Sequence, residues 1–281
     1  MSHSDGLPAD ATIGRVALRV ADLDRQVAFY EDVVGLETLE REDDAATLGV
    51  GHTELLRLEA RPDLGHRGRD ETGLFHTAFL FPDRAALGDA LARVEAEWGL
   101  TGASDHLVSE ALYLDDPEGN GVELYRDRPR EEWTVHDDGR IDIDTLPLDL
   151  EPIREAATGE GDAPAGTTVG HVHLEVSDVE SAREFYVDEL GMALKETYGP
   201  DAIFLAAGGY HHHVGANAWN GRTAPGEGLG LDWFEVVVPD ADALADTRER
   251  FEAAGRSPTA VESGFAVADP DRIELRVRAE P

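Results

Sequence analysis

The chain contains an internal repeat, and this repeat limits the possible folds more than any other feature of the sequence. IGRVALRVAD, which begins at residue 13, aligns with VGHVHLEVSD, which begins at residue 169, and the match continues without a gap over residues 13–35 and 169–191. A second pair aligns GLFHTAFLFPDRAAL at 73–87 with GLDWFEVVVPDADAL at 230–244. Repeats of this kind indicate one structural unit used several times. We therefore expect four related modules, numbered 1 to 4 along the chain, in which module 1 resembles module 3 and module 2 resembles module 4.

Each module has the pattern of a strand followed by a helix. Alternating apolar and polar residues predict the strand. An aspartate then precedes the helix in every module, at Asp22, Asp83, Asp178 and Asp240, and its carboxylate can accept hydrogen bonds from the first N–H groups of the helix. Apolar segments after the helices, such as ATLGV, ELLRLEA and AIFLAA, predict further strands. Each module is therefore a βαβββ unit, and the fold class is α+β.

The four modules divide the chain into two halves and a connection. Modules 1 and 2 occupy residues 12–128, and modules 3 and 4 occupy residues 169–279. Residues 129–168 form a connecting segment that is rich in acidic residues, proline and glycine. Within this segment, IDTLPLDLEPIREA predicts a short helix.

The charge of the chain excludes one class of partner. Acidic residues outnumber basic ones by 59 to 24, and the formal net charge is −35. Nucleic acid is excluded because binding its phosphates requires a basic surface. Concentrated salt screens repulsion between like charges, so we interpret the acidity as an adaptation to a high-salt organism. There is no apolar run of membrane-spanning length and no basic leader before an apolar core, so we expect a cytoplasmic protein that does not bind membranes.

The residue types present also restrict the chemistry. The chain has no cysteine, which excludes disulfide bonds, thiolate metal ligands and cysteine nucleophiles. It contains neither HExxH nor GxSxG, so zinc protease and serine hydrolase interpretations have no motif to support them. Any metal ion must be held by histidine, aspartate or glutamate.

Four βαβββ modules, a strand that reads GHVHLEVSD and a module that closes with DPEGNGVELYRDRP together resemble the vicinal oxygen chelate superfamily (glyoxalase, bleomycin resistance and extradiol dioxygenase proteins). Within it, the chain is most similar to catechol 2,3-dioxygenase-like proteins, over about residues 12–279. The resemblance implies that modules join in pairs, so that four modules form two cupped mixed sheets. It also implies a metal ion in a cup, with ligands from the first and last strands of the modules.

The repeat alignment identifies the candidate ligand positions. On the first strands of modules 1 to 4 these positions are Arg15, His76, His171 and Trp233. On the last strands, Glu123 of module 2 is aligned with Glu274 of module 4. Arginine and tryptophan do not bind metal ions, so the usable side chains are the two histidines and the two glutamates.

Only one pairing of modules gives a complete metal site. A non-haem Fe(II) centre for O₂ chemistry needs two imidazoles and one carboxylate on one face. Modules 1 and 2 supply only His76 and Glu123, and modules 3 and 4 supply only His171 and Glu274. Modules 2 and 3 supply His76, Glu123 and His171. We therefore expect modules 2 and 3 to share a sheet that holds the metal, and modules 1 and 4 to share one that holds none.

The resemblance also suggests roles for two residues upstream of Glu123. Extradiol dioxygenases have a tyrosine ten residues before the ligand glutamate, the position of Tyr113 here, and a histidine slightly further upstream, for which His106 is the candidate. By resemblance, Tyr113 would hydrogen-bond a metal-bound substrate oxygen, and His106 would act as a general acid or base. In GGYHHHVGANAW at 208–219, strand alternation would place His213 and Asn217 towards the cup as substrate-binding residues.

These observations favour an extradiol-type dioxygenase that cleaves a catechol-like or hydroquinone-like aromatic with O₂. Fe(II) is the expected cofactor, and Mn(II) or another divalent metal suits the same ligands. Two alternatives remain on the same scaffold. One is a glyoxalase-like isomerase or lyase with a non-redox metal, and the other is a metal-free protein that binds a small molecule, as resistance proteins do. Assembly into a homo-oligomer is compatible with each of them.

Overall fold

The computed structural model describes residues 6–280, and in this range each module has the predicted order of elements. Module 1 contains β1 (Thr12–Val20), α1 (Leu23–Phe29), β2 (Glu37–Arg41), β3 (Ala45–Val50) and β4 (Thr53–Ala60). Module 2 contains β5 (Gly73–Phe81), α2 (Arg84–Glu97), β6 (Gly102–Asp105), β7 (Ser109–Asp115) and β8 (Gly121–Asp127). The connecting segment contains β9 (Leu146–Pro147) and α3 (Glu151–Ala156). The helix predicted in the connecting segment is thereby confirmed.

The second half repeats this arrangement. Module 3 contains β10 (Thr168–Glu175), α4 (Val179–Arg183), β11 (Ala193–Thr197), β12 (Ala202–Ala206) and β13 (Val214–Asn217). Module 4 contains β14 (Gly230–Val238), α5 (Ala241–Ala253), β15 (Thr259–Val261), β16 (Gly264–Ala268) and β17 (Glu274–Ala279). No helix in residues 6–280 is both long enough and apolar enough to cross a membrane.

The strands form two mixed sheets, and each sheet joins one module from each half of the chain. The inner sheet, made by modules 2 and 3, has the order β11-β12-β13-β10-β5-β8-β7-β6-β9. The outer sheet, made by modules 1 and 4, has the order β15-β16-β17-β14-β1-β4-β3-β2. Antiparallel pairs of first strands, β5 with β10 and β1 with β14, join the modules. The predicted pairing of modules 2 and 3 and of modules 1 and 4 is confirmed, as is the α+β class.

The four predicted helix caps are also present. The carboxylates of Asp22, Asp83, Asp178 and Asp240 each accept a hydrogen bond from the N–H group three residues later. These bonds satisfy donors that have no partner within the helix. The repeat therefore fixes where each helix begins.

Two buried tyrosines tie the sheets together. Tyr30 of module 1 donates a hydrogen bond to Asp116 of module 2 over 3.3 Å. At the equivalent place, Tyr186 of module 3 donates to Asp269 of module 4 over 3.0 Å. Each bond thus links a module of one sheet to a module of the other, beside a continuous apolar cluster to which both sheets contribute.

The strand register corrects one equivalence between modules 2 and 4. Glu123 pairs with Ala78 on β5, and the counterpart of Ala78 on β14, Glu235, pairs with Arg276. Arg276, and not Glu274, therefore occupies the position of Glu123 in the outer sheet. The alignment of Glu123 with Glu274 requires the turn before the last strand to be two residues shorter in module 4. Both turns instead hold five residues between paired strand ends, residues 116–120 and 269–273.

Candidate metal centre

Three neighbouring strands of the inner sheet bring the predicted ligands together. His76 lies on β5, Glu123 on β8 and His171 on β10, and β5 is the central strand of the three. The Nε2 atom of His76 is 2.9 Å from Oε2 of Glu123, and Nε2 of His171 is 3.2 Å from the same oxygen. One potential ligand atom from each residue lies within 4.8 Å of the other two. All three side chains are buried.

The electrostatics of this cluster hold Glu123 and His171 in the forms that bind metal. Burial alone would raise the pKa of Glu123, but the His171 and His76 imidazoles beside it outweigh burial and hold that pKa well below its usual range. Burial lowers the pKa of His171 to about 4, although Glu123 acts in the opposite direction. Carboxylates and neutral imidazoles are the forms that bind metal ions. Protons therefore compete little with a metal ion for Glu123 and His171 near neutral pH.

The donor atoms fit a divalent first-row metal ion. Adjacent ligands on an ion about 2.1 Å away are about 3 Å apart, close to the two distances from Glu123. Nε2 of His76 is buried and makes no hydrogen bond to any residue of the described chain, although it lies 2.9 Å from Glu123. A nitrogen that faces a carboxylate without bonding to it is expected where both point at a common ion, and Nε2 of His171 forms a hydrogen bond with the same carboxylate oxygen at 3.2 Å. The set is two histidines and one carboxylate, the type found in non-haem Fe(II) oxygenases.

A cavity of about 440 Å³ opens above these three residues. Its walls are largely aromatic, with Phe75, Tyr198, Phe204 and Trp219 among the lining residues. The connecting segment closes one side, through residues 143–145. An apolar cavity of this size with a few polar groups is typical of sites for small organic molecules.

Tyr113 and His106 both line the cavity and contact each other. The Tyr113 hydroxyl is 2.5 Å from Nε2 of His106, whose Nδ1 is 2.6 Å from the carbonyl oxygen of Asp144. A carbonyl only accepts hydrogen bonds, so Nδ1 of His106 carries the proton and Nε2 accepts from Tyr113. Burial, followed by the nearby charge of Glu123, raises the pKa of Tyr113 well above its usual value.

His213 and Asn217 do not line this cavity, contrary to the prediction from strand alternation. β13 begins only at Val214, so the three histidines before it lie in a loop where alternation does not apply. Nδ1 of His213 accepts a hydrogen bond from the N–H of Ala207. The side chain of Asn217 is also used by the backbone, because its amide donates to the carbonyl of Leu174.

Two other histidines take the places at the cavity that sequence reasoning gave to His213 and Asn217. His212 lines the cavity, and its ring centre is 4.1 Å from that of His171. His173 is two residues after His171 and pairs with His76, and its buried Nε2 has no hydrogen-bond partner in residues 6–280. The signal for His173 was present in VGHVHLEV, where alternation places it on the same face as His171.

The outer sheet has no such cluster at the same positions. Arg15 stands in the position of His171 and bonds both carboxylate oxygens of Glu235, at 3.1 and 2.7 Å. The Arg276 guanidinium lies 4.0 Å from the ring centre of Trp233, which stands in the position of His76. The side chains at the ligand positions of the outer sheet therefore form ion pairs and cation–π contacts with neighbouring protein groups.

Comparison with known proteins gives the family. The model of the Glyoxalase/Bleomycin resistance protein/Dioxygenase superfamily matches residues 12–124 and 168–277, which is most of the chain. The chain belongs to this superfamily. The match leaves out most of the connecting segment, which lines the cavity in this superfamily member.

Individual relatives agree with the family. The chain is 42% identical over 269 residues to the catechol-2,3-dioxygenase of Bacillus subtilis (strain 168), covering 93% of this chain and 94% of that protein. The crystal structure of glyoxalase I from Zea mays superposes with a TM-score of 0.57 at 17% identity, covering 95% of this chain and 92% of the maize chain. A crystal structure from Bacillus subtilis subsp. subtilis str. 168 gives a TM-score of 0.65 at 14% identity, covering 96% of this chain and 85% of the other. At such low identity the two structural similarities concern the fold alone.

Proposed function

We propose that this protein is an extradiol-type dioxygenase that cleaves the ring of a catechol-like or hydroquinone-like aromatic with O₂. His76, His171 and Glu123 would hold Fe(II), and Mn(II) suits the same ligand set. The observation that carries the proposal is the convergence of these three side chains at one end of an aromatic-lined cavity. The 42% identity to a catechol-2,3-dioxygenase supports the same reaction class.

The donor set leaves room for the reactants. His76, His171 and Glu123 would hold the metal ion with three protein ligands and leave coordination positions for a diol and O₂. When bound, the metal supplies Lewis acidity towards the diol oxygens and redox chemistry towards O₂. The protein supplies binding, orientation and proton handling.

The cavity walls would bind and orient the aromatic ring. Phe75 and Trp219 face each other edge to face, with ring centres 5.6 Å apart, and both line the cavity. Flat aromatic surfaces favour an aromatic ligand over an aliphatic one of the same size. The same walls keep bulk water away from the reacting atoms.

Tyr113 and His106 would handle a proton of the substrate. Because Tyr113 donates its own hydrogen to His106, its oxygen lone pairs remain available for the hydroxyl of a bound diol. The diol would pass a proton to the Tyr113 oxygen, and Tyr113 would pass its own proton to Nε2 of His106. The carbonyl of Asp144 would stabilise the resulting imidazolium through Nδ1–H. In this role the pair is a general base for the diol.

An anaerobic Fe(II) titration in high salt would test the metal site. We expect one tight site per chain in the wild type, its loss in His171→Ala, and its retention in Arg15→Ala, the matched change at the repeat position in the outer sheet. Unchanged binding in His171→Ala would contradict the proposed site.

Oxygen uptake would then test the reaction. The Fe(II)-loaded protein should consume O₂ with at least one member of a panel of catechols and hydroquinones and give a ring-opened product. Tight metal binding with no uptake across the panel would contradict the dioxygenase and favour the glyoxalase-like alternative. No metal binding in the wild type would favour the small-molecule-binding alternative.

A further inference from the structure

A chain of side-chain contacts connects the cavity with the protein surface. His212 lines the cavity, and its Nδ1 is 2.7 Å from Nδ1 of His211. The other nitrogen of His211, Nε2, is 2.9 Å from Oδ1 of Asp127. The Asp127 side chain is 25% exposed, whereas that of His211 is not exposed at all. These three residues thus form an Asp–His–His row that ends beside the proposed metal ligand His171.

The middle residue of this row is sealed from water. Trp133 of the connecting segment packs against His211 with ring centres 5.3 Å apart, and Tyr210 packs against it at 4.1 Å. Arg130 lies over both of these aromatic rings. Because His211 is fully buried, its nitrogens must find their partners inside the protein.

The direction of these hydrogen bonds follows from the chemistry of the groups. An ionised carboxylate only accepts, so Nε2 of His211 must carry the hydrogen that it shares with Asp127. When His211 is a neutral imidazole it carries only that one hydrogen, so its Nδ1 is an acceptor. Nδ1 of His212 must then donate to it. The remaining nitrogen of His212, Nε2, is left with a lone pair.

Two tyrosines agree with Asp127 as the accepting end of the row. The Tyr210 hydroxyl donates to Oδ1 of Asp127 over 3.3 Å. The Tyr125 hydroxyl is 2.8 Å from that of Tyr210 and can donate to it. Donors from two directions therefore converge on one carboxylate.

We propose that Asp127 and His211 are positioning residues that fix the tautomer of His212, so that His212 presents Nε2 to the cavity as a hydrogen-bond acceptor. The consequence for catalysis rests on the proposed function, but the tautomer itself does not. In the dioxygenase, His212 would accept a hydrogen bond from a hydroxyl of the bound diol. The other tautomer would present N–H to the same place and could only donate.

The tautomers can be measured directly. The purified chain, labelled with ¹⁵N-histidine and loaded with Zn²⁺ as a diamagnetic ion of similar ligand preference, gives ring-nitrogen signals that distinguish Nδ1–H from Nε2–H. We expect Nε2–H for His211 and Nδ1–H for His212 in the wild type. Nε2–H on His212, or a doubly protonated His211, would overturn the proposal without any variant being needed.

Removal of the carboxylate tests the cause. In Asp127→Ala, His211 loses its fixed acceptor, and we expect His212 to lose its Nδ1–H preference. The matched control is Asp142→Ala, which removes a carboxylate 2.6 Å from the exposed His136 and should leave His212 unchanged. An unaltered His212 tautomer in Asp127→Ala, or the same change in the control, would overturn the proposal.

Kinetics give a second readout. We expect kcat of Asp127→Ala to fall about tenfold, the lower end of the effect of groups that orient active-site histidines, with KM nearly unchanged because Asp127 does not contact the cavity. Asp127→Glu should recover part of kcat if its carboxylate reaches His211. The expected tautomers together with no oxygen uptake by any variant would reject the dioxygenase and leave this inference standing. Oxygen uptake together with Nε2–H on His212 would support the dioxygenase and reject this inference.

Discussion

The two sheets of this protein have the same construction, and only one of them has the features of a metal centre. Each is formed by two βαβββ modules joined through their first strands. On the inner sheet the three equivalent positions hold His76, His171 and Glu123, and on the outer sheet they hold Trp233, Arg15 and Arg276. A single fold therefore accommodates either a ligand set or a set of ion pairs and cation–π contacts.

The partners of the side chains at the equivalent positions distinguish the two sheets better than charge does. In the outer sheet Arg15 is paired with Glu235, and Arg276 is paired with Glu274 at 2.7 Å while it covers Trp233. In the inner sheet Nε2 of His76 is buried beside Glu123 and has no hydrogen-bond partner within residues 6–280. Such groups are costly unless something outside the protein binds them. The inner-sheet positions therefore suit a bound ion, whereas the outer-sheet positions hold side chains that pair with other protein groups.

Neutralising one carboxylate on each sheet should have the largest effect and the clearest contrast. Glu123→Gln preserves the shape of the side chain but removes the charge on which both imidazoles converge. We expect Fe(II) affinity to fall roughly 100-fold or more. This exceeds the usual loss when a group that only hydrogen-bonds a metal ligand is changed. Glu274→Gln in the outer sheet should leave the affinity unchanged. Equal losses in both variants, measured by calorimetric titration, would mean that the sheets do not differ in this way.

The tyrosine of the inner sheet gives the next prediction. In the outer sheet Ala266 stands at the position of Tyr113, because each pairs with the residue equivalent to Glu123. Tyr113→Phe should lower kcat by about 100-fold, the lower end for a group that transfers a proton in the reaction, and should change KM little. Tyr198→Phe makes the same substitution at another residue lining the cavity, and it should retain most of the activity. Steady-state oxygen uptake measures both.

The repeat made much of this comparison predictable from the sequence. An unbroken alignment of 13–35 with 169–191 gave the position of His171 relative to Arg15, and the shortage of ligands in every other pairing pointed to modules 2 and 3. The aspartate before each helix was equally informative, because a helix start depends on a few adjacent residues. Local patterns therefore gave the modules and the ligand positions.

The remaining errors and omissions concern loops and register. Glu274 was matched with Glu123 because IEL resembles VEL, but the two turns have equal length, so the register moves by two residues and Arg276 takes the position on the same face. His213 was expected at the cavity and His212 lies there instead, because their loop does not follow strand alternation. The wall formed by residues 143–145 was not predictable, since it depends on how the connecting segment folds back over the cup. Contacts between distant parts of the chain leave no local pattern.

The ion pairs of the outer sheet should matter for stability and not for metal binding. Glu235 is buried, with only 4% of its side chain exposed, and Arg15 is its bidentate partner. Arg15→Ala leaves that carboxylate with Arg278 at 3.2 Å. We expect a loss of about 2 kcal/mol in the free energy of unfolding, less than for a fully buried pair because Arg15 is partly exposed.

Urea unfolding in high salt would measure this loss. Arg41→Ala is the matched control, since Arg41 pairs with the exposed Asp24 at the same sheet's edge. An exposed pair of that kind contributes about 0–1 kcal/mol. A loss of unfolding free energy in Arg15→Ala no larger than in Arg41→Ala would contradict the structural role of this ion pair. A loss of Fe(II) binding in Arg15→Ala would contradict the separation of metal binding from the outer sheet.

The buried ties between the sheets give the smallest expected effect, one that depends on pH. Burial raises the pKa of Asp269 to about 7, whereas an unfolded aspartate titrates near about 3.9. Between these values the folded protein binds more protons than the unfolded chain, so stability must fall as pH rises. From pH 6 to pH 7 we expect a decrease of about 1 kcal/mol from this group. Asp269→Asn should remove that decrease in urea unfolding measured at both pH values.

The equivalent tie tests whether the two halves of the molecule behave alike. Burial also raises the pKa of Asp116, which accepts the hydroxyl of Tyr30 as Asp269 accepts that of Tyr186. Asp116→Asn should therefore change the pH dependence in the same direction. A smaller decrease of stability with rising pH in Asp116→Asn than in the wild type would agree with a raised carboxyl pKa in both ties. A larger decrease of stability with rising pH in Asp116→Asn than in the wild type would show that the two ties, alike in geometry, shift their carboxyl pKa values in different directions.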